Sequence, residues 1–393
     1  RVIRMLRILY IVRPFGPLGG MERYVFATAR EMVKRGHHVS ALCRSVDEAS
    51  VPGSDVEVIK LNPKPAKRGW HDRYVFRDAV TEFFRDPANR RRFDIVHSHE
   101  NTIEQDVTTE HGPCTAYGLR LKPWKRLDFS ARKNLAIEKQ KFHGPNLKAL
   151  VSCAQRVQDI ALREYPHLAQ KITRVITPAY TYLQPATKDP ARQARVLGFM
   201  GRDWRRKGLP KALEIFSDLR GQDPTWSMLI AGCPADSLPS NLVRALPEGA
   251  QLLGRADPQD FFNKIDVLVH PATDEPFGMV MSEALTCGVA AIFSDQCGAA
   301  DHLQSAGLRV LSTKASTSEW ATACRDLAGQ TFPPIISRPW SDLAAEHENL
   351  YAEVLEAKSP LERAKKFHLP IFGEPEKLPL SAEQLAKLRD KGH

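Results

Sequence analysis

Two carboxylates, Glu275 and Glu283, bracket the run Glu275-Pro276-Phe277-Gly278-Met279-Val280-Met281-Ser282-Glu283. An apolar segment, Val267-Leu268-Val269-His270, precedes it, and a segment of helical character, Met279 to Cys287, follows from it. Gly278 leaves room for a ligand to approach the backbone at that helix start. The unpaired N–H groups and positive dipole end there suit a phosphate. A carboxylate on each side suits the hydroxyls of a sugar or ribose. The bland alternative is an ordinary strand–helix turn with a capping Glu.

A second loop, Gly201-Arg202-Asp203-Trp204-Arg205-Arg206-Lys207-Gly208, directly follows the strand-like Val196-Leu197-Gly198-Phe199-Met200. Arg202 and Lys207 can neutralise a pyrophosphate there, one with a planar fork of donors and the other with a compact charge. A third loop, Pro17-Leu18-Gly19-Gly20-Met21-Glu22, lets backbone approach a ligand before a helix, though it does not meet the dinucleotide pattern G-x-G-x-x-G. A fourth, Thr108-Thr109-Glu110-His111-Gly112, ends a strand downstream of Val96-His97-Ser98-His99 and offers His111 to a cleft. His37 and His38 lie at a helix–strand junction and read as structural.

Together these residues resemble the retaining family-4 glycosyltransferases. The strand–E-P-F-G–helix element with its second Glu, the G-R-x4-K-G loop, the paired glycines Gly19 and Gly20, and the H-G at His111 all match motifs of that family. The resemblance spans roughly residues 6 to 356 and implies the GT-B fold: two Rossmann-like α/β domains with a cleft between them. It also implies metal-independent transfer of a hexosyl group from a nucleotide diphosphate sugar. In that scheme Arg202 and Lys207 hold the diphosphate, aided by backbone at Gly278, Met279 and Val280. Glu283 takes the ribose hydroxyls and Glu275 the sugar hydroxyls. Gly19 and Gly20 face the donor from across the cleft, and His111 sits beside the transferred sugar. No cofactor beyond the nucleotide-sugar co-substrate is implied. The chain has no D-x-D, no P-loop and no Cys/His metal spacing. The basic N-terminal part and the T-T-E-H-G loop look most like bacterial lipopolysaccharide-core or surface-polysaccharide enzymes.

Elements that must carry these loops alternate along the chain. Strands are expected at Leu6–Val12, His38–Cys43, Val56–Leu61, Phe93–His97, Gln105–Thr109 and Ala149–Ser152, with helices at Met21–Arg35, Arg73–Arg85 and Ala131–Phe142. After a proline-bearing linker at Thr177–Pro190 the alternation restarts and runs to Thr317–Ala328, with a last helix at Ser341–Leu355. Such alternation predicts parallel sheets covered by helices, with ligands beyond the carboxyl ends of the strands. The expected division is an acceptor domain over 1–180, a donor domain over 181–338, a crossover helix over 339–357 and a tail over 358–393. In the tail, 381–388 reads as a short amphipathic run.

The 393 residues suffice for two cores. No stretch reaches the ~20 apolar residues of a membrane-spanning helix, and the run 5–12 reads as a first strand rather than a leader. Seven scattered cysteines without C-x-x-C point to reduced thiols and a cytoplasmic protein. The net charge of +10 is uneven: residues 1–180 hold 32 Lys and Arg against 19 Asp and Glu. That excess suggests an anionic partner there, with a phosphorylated acceptor, an anionic lipid surface and nucleic acid as candidates and a solvated basic surface as the plainer alternative. With the family resemblance, the expectation is an anionic glycan or glycolipid acceptor and peripheral contact at the cytoplasmic membrane face. Its densest part, Gly118–Lys148, carries nine cations, among them Lys122, Lys125 and Arg126, interleaved with Trp124, Phe129 and Phe142. No RNA-binding signature accompanies it, so nucleic acid is not expected. Two other readings remain at this stage. One is a nucleotide-sugar epimerase of the same fold. The other is a basic lipid- or nucleic-acid-binding protein without catalysis, against which the intact Glu275, Glu283, Arg202 and Lys207 argue.

Overall fold

Short apolar runs alternating with amphipathic stretches favour strands buried on both faces beneath covering helices. The computed structural model has that form and describes residues 4–62, 69–180, 183–187 and 195–358. The first half contains β1 (Arg7–Ile11), β2 (Pro14–Phe15), β3 (His38–Cys43), β4 (Ser45–Val46), β5 (Glu57–Lys60), β6 (Ile95–Ser98), β7 (Val107–Glu110), β8 (Ala149–Ser152) and β9 (Ile172–Val175). The second half contains β10 (Val196–Met200), β11 (Ser227–Ala231), β12 (Ala250–Gly254), β13 (Val267–His270), β14 (Ala290–Ser294) and β15 (Leu308–Leu311). Helices in the first half are α1 (Gly20–Lys34), α2 (Gly69–Arg85), α3 (Pro87–Arg91), α4 (Thr115–Leu121), α5 (Phe129–Phe142) and α6 (Gln155–Glu164). Those that follow are α7 (Leu209–Gln222), α8 (Ser240–Arg244), α9 (Pro258–Lys264), α10 (Met279–Thr286), α11 (Thr317–Leu327) and α12 (Trp340–Ala357).

Seven strands form one sheet in the order β5-β3-β1-β6-β7-β8-β9, and six form another in the order β12-β11-β10-β13-β14-β15. Their pairings are parallel. Strand order reverses direction between β1 and β6, and again between β10 and β13. Those switch points are where an open α/β sheet leaves a crevice at its carboxyl edge. The loops after β1, β10 and β13 are the ones the motifs occupy. Every strand expected in the sequence is present to within two residues at either end.

Helix α1 shows how local sequence sets an element. Gly19 caps it in extended backbone, Glu22 sits in the first turn and Lys34 in the last, matching the helix dipole. Tyr24, Val25, Phe26, Ala29 and Met32 recur on one face and are buried against the sheet. Each half has its own apolar cluster: Leu9, Ile11, Leu42, Phe76 and Val96 in one, Phe199, Phe216, Trp226 and Trp320 in the other. A fully buried side chain of this kind contributes roughly 1.5–3 kcal/mol. A further cluster joins the halves, with Ala154 and Val157 of the first packed among Phe277, Val280 and Ala299 of the second.

Besides the short β2, β4, α3, α4 and α8, two longer or sheet-bearing segments, α6 and β9, were not expected. Helix α6 follows Ala154, which offers no side-chain cap, so its start carries no signal. Strand β9 is a four-residue, half-exposed edge close to the prolines that suggested a linker. The linker expected at 177–190 lies partly, and the amphipathic run at 381–388 wholly, outside the described residues.

Residues 1–354 form one compact unit that holds both sheets. Within it, α12 returns to the first sheet. The Tyr351 and Tyr10 hydroxyls lie 3.0 Å apart, and Glu348 accepts from Arg35 and from His37 Nε2 at 2.8 Å. That bond and the one His37 Nδ1 accepts from the Leu6 amide give His37 the structural role its position suggested. The two passages between the halves also meet: the Tyr180 amide donates to the Arg338 carbonyl at 3.1 Å, and Arg338 Nε donates to the Thr177 carbonyl at 3.2 Å. Among the described residues no helix is long and apolar enough to cross a membrane, and all seven cysteines are free and buried.

Candidate active site

The loops at the carboxyl edges of the two sheets enclose a cleft of about 470 Å³, a volume suited to a small organic ligand. From the first half it is lined by Gly19, Gly20, Arg23, Tyr24 and His111. From the second it is lined by Arg202, Arg206, Lys207, Glu275 and the stretch Gly278–Val280. Thus all but one of the donor-side and catalytic candidates read from the sequence converge here. The exception is Glu283, which lies a turn into α10, buried and off the cleft lining, with its Oε1 3.5 Å from Nη1 of Arg23.

Glycine makes two of these approaches possible. Gly278 caps α10 at φ +96°, and a Cβ there would lie 1.7 Å from Cε of Met281. Gly201 lets the stem of Lys207 cross its backbone, since a Cβ would lie 2.1 Å from Cδ of that lysine. The lysine is thereby aimed at Glu275, to which its Nζ donates at 2.7 Å. His270 Nε2 donates to the same carboxylate oxygen at 3.3 Å, and Arg206 Nη1 lies 3.7 Å from it.

These charges set the protonation states. Burial alone would raise the Glu275 carboxyl, but the His270 hydrogen bond and the Lys207 ammonium outweigh it and hold the group far below the usual carboxylate range. Glu275 is therefore an acceptor only. Burial lowers His270, with Glu275 acting against it, so the ring stays neutral with its proton on Nε2. His111 is pushed down to about 3, first by burial and then by His347 and Lys141. It too is neutral. Arg202 is exposed and donates through Nη2 to the Leu18 carbonyl at 3.0 Å, joining the second glycine-rich loop to the first.

Several contributors were not expected. Arg206 lines the cleft and donates to the Asp274 carbonyl at 2.6 Å; its place beside Lys207 in the same basic run was the available signal. Arg205 instead lies over the ring of Trp204. His99 Nδ1 is 2.8 Å from His111 Nε2, while His97 bonds Tyr351 and Thr109, each at 2.7 Å. With His347 these rings form a buried imidazole stack behind the cleft. Arg156 of α6 donates to Asp274 at 2.9 Å and to Gln296 at 2.8 Å, reaching the residue just before Glu275 from the opposite half.

The basic stretch after Gly118 is less uniform than its composition suggests. Lys141 is buried in an ion pair with Glu110, and Glu138 is buried where it accepts from the Thr115 and Ala116 amides and from the Tyr165 hydroxyl. Phe142 is core. Lys122 and Lys125 line a second cavity of about 560 Å³, whereas Trp124 and Arg126 are exposed outside its lining.

Residues 18–179 match the family model described as Glycosyltransferase Family 4, and residues 194–330 match Glycosyl transferases group 1. The D-inositol 3-phosphate glycosyltransferase of Rhodococcus opacus is 26% identical over 359 residues, 80% of this chain and 79% of its own. The lipopolysaccharide glucosyltransferase WaaG of Escherichia coli is 22% identical over 322 residues, 76% of this chain and 83% of its own. Among solved structures, a WaaG involved in lipopolysaccharide biosynthesis superposes with a TM-score of 0.66 at 17% identity, covering 93% of this chain and 100% of that one. Anabaena HepE in complex with UDP and glucose gives 0.59 at 15% identity, again covering 93% and 100%. At such identities the structures speak for the fold, while the two matched models speak for the family. The chain belongs to the family-4 glycosyltransferases and has their GT-B fold of two Rossmann-like domains.

Proposed function

We propose that the protein transfers a hexosyl group from a nucleotide diphosphate sugar, a UDP-sugar first among them, to a hydroxyl of an anionic glycan or glycolipid, with retention of anomeric configuration. The carrying observation is the convergence of Arg202, Arg206 and Lys207 on the α10 start beside an ionised Glu275, with neutral His111 facing them. A diphosphate suits the cations and the amides of α10. The hydroxyls of the sugar suit Glu275, which lines the cleft. The UDP and glucose in the HepE complex support that choice of donor. The acceptor domain would be residues 1–180 and the donor domain 181–338.

The reaction is a front-face displacement. The bond from the anomeric carbon to the β-phosphate oxygen breaks, and the departing diphosphate takes the proton of the acceptor hydroxyl. That oxygen then bonds the anomeric carbon on the same face. Charge develops on the leaving phosphate, so preorganised donors aimed at it supply the main stabilisation. Glu275, being ionised, orients sugar hydroxyls and donates no proton; neutral His111 lies beside the sugar as a hydrogen-bonding group.

A thermal-shift panel of UDP-, GDP- and ADP-hexoses tests this, because a ligand that binds only the native state raises apparent stability. A UDP-hexose is expected to give the largest shift. A flat panel, or release of free epimerised sugar without any acceptor, would overturn the reading.

A further inference from the structure

Helix α6 starts against its own local chemistry. Ala154 gives it no side-chain cap, and Arg156 puts a cation in the first turn, where the helix dipole favours an anion. Groups of the second half complete that start. The Gln155 amide donates to His302 Nε2 at 3.2 Å, and the Arg156 guanidinium lies 2.9 Å from the Asp274 carboxylate. Ala154 packs so closely on Gly298 that a Cβ on the glycine would lie 2.6 Å from the alanine methyl. Three successive residues thus meet the other half, and local rules broken in this way are expected at functional sites.

The contact leads to Glu275. Arg156 Nη1 donates to Asp274 and Nη2 to Gln296, so one planar fork spans the loops after β13 and β14. Those two residues frame the Glu275 peptide. The Glu275 amide donates to the Gln296 carbonyl at 3.1 Å, and the Glu275 carbonyl accepts from the Gly298 amide at 2.9 Å. Arg206 Nη1 donates to the Asp274 carbonyl at 2.6 Å. Gly112, beside His111, abuts the same loop, since a Cβ there would lie 3.3 Å from Cγ of Pro276. The backbone that aims the Glu275 carboxylate is therefore gripped from the half that holds His111. With Arg156 17% and Asp274 36% exposed, the ion pair contributes little to stability, so its weight falls on geometry.

We propose that Arg156 is a positioning residue for glycosyl transfer. It ties Asp274 and Gln296 to α6, and so sets the Glu275 carboxylate for the sugar when the two halves are together. The inference rests on the glycosyl-transfer reading and adds to it a residue outside the cleft lining. Arg202, Lys207 and the α10 start belong to the second half, so the proposed diphosphate contacts do not pass through Arg156.

Arg156→Ala tests this with UDP-glucose as donor and water as acceptor. The water oxygen bonds the anomeric carbon, the bond to the β-phosphate oxygen breaks, and UDP leaves with the proton. kcat should fall by about tenfold or more while donor KM and UDP affinity stay within about twofold, as for a contact that counts in the transition state. The melting temperature should move by no more than about 2 °C. Arg156→Lys should recover only part of kcat, because a point charge cannot span both acceptors. Asp274→Ala should also lower kcat, and the double variant should be no slower than the slower single one, as for partners in one interaction. Without ligand, amide exchange in Arg156→Ala should quicken by about tenfold or more across 274–278 and 296–299 and stay unchanged elsewhere. Unchanged kcat, a raised KM with kcat intact, additive losses or unchanged exchange would overturn the positioning role and leave the glycosyl-transfer reading standing. A parent that neither binds UDP nor releases it from UDP-glucose would remove that reading. The exchange rates would then uphold or overturn the grip of Arg156 on the Glu275 loop by themselves.

Discussion

Lys207 and Glu275 meet across two loops of the second sheet, ammonium to carboxylate at 2.7 Å, with the lysine stem lying over the bare Cα of Gly201. The pair is buried enough to hold its charges and open enough to meet a ligand. With the His270 hydrogen bond, the lysine holds the Glu275 carboxyl ionised against its burial.

Lys207→Ala should lower turnover more than tenfold, since a charge-assisted contact in a closed cleft is worth roughly 1.5–3 kcal/mol. The residue is on a loop, so the melting temperature should move little. Near-normal turnover at saturating donor would remove Lys207 from the leaving-group site.

Glu275→Gln keeps the shape and removes the charge. Turnover is expected to fall by about ten- to a hundredfold, from weakened hydroxyl contacts of roughly 1.5–3 kcal/mol. If Gln were as active as Glu, the ionised state of Glu275 would have no part in catalysis.

Gly278→Ala should cost about 2 kcal/mol of stability or more, from left-handed backbone and the clash with Met281. Donor affinity should fall with it, because the α10 start must shift. Calorimetric unfolding and UDP titration of the variant measure the two effects separately.

Acid should unfold the protein through its imidazoles. His97, His99, His111 and His347 are all lowered, burial being the first cause. A lowered imidazole keeps its ring neutral in the fold, so its contribution is complete above the unfolded value of 6.5 and drains as pH falls. For His347 the loss ends near pH 4 and for His111 near pH 3. Each ring contributes a slope of about 1.4 kcal/mol per pH unit within its window. The melting temperature should therefore drop steeply between pH 7 and 5, and a flat profile there would contradict the neutral stack.

Turnover is expected to persist in excess EDTA, with Arg202, Arg206 and Lys207 meeting the diphosphate charge. Complete loss reversed by manganese or magnesium would assign that charge to a metal.

What could be read in the chain was local. A strand end, a glycine and a helix start lie within a dozen residues at each of the three main motifs, so Glu275, Lys207 and Gly19 announce themselves. Arg156 and Asp274 are 118 positions apart, and neither stands in a pattern that marks the other. The imidazole stack was equally hidden, since His347 sits in an ordinary amphipathic helix until folding carries it beneath His97. Charge counting over Gly118–Lys148 was coarse for a related reason. Composition does not distinguish Lys141, buried with Glu110, from Lys122 at the surface. Glu283 carried a motif position but not a place on the cleft wall, because helical periodicity turns it toward Arg23.

The return of α12 to β1 has a consequence for how the chain is made. Tyr10 emerges early and its partner Tyr351 follows 341 positions later. At ordinary translation rates that is a wait of roughly 20–70 s. During it the first sheet must persist with Tyr10, Tyr24 and His97 lacking the helix that finally covers them. Ribosome-bound chains ending before residue 340 should thus present this aromatic and imidazole surface to chaperones, and the first sheet, synthesised before the second, would be completed after it.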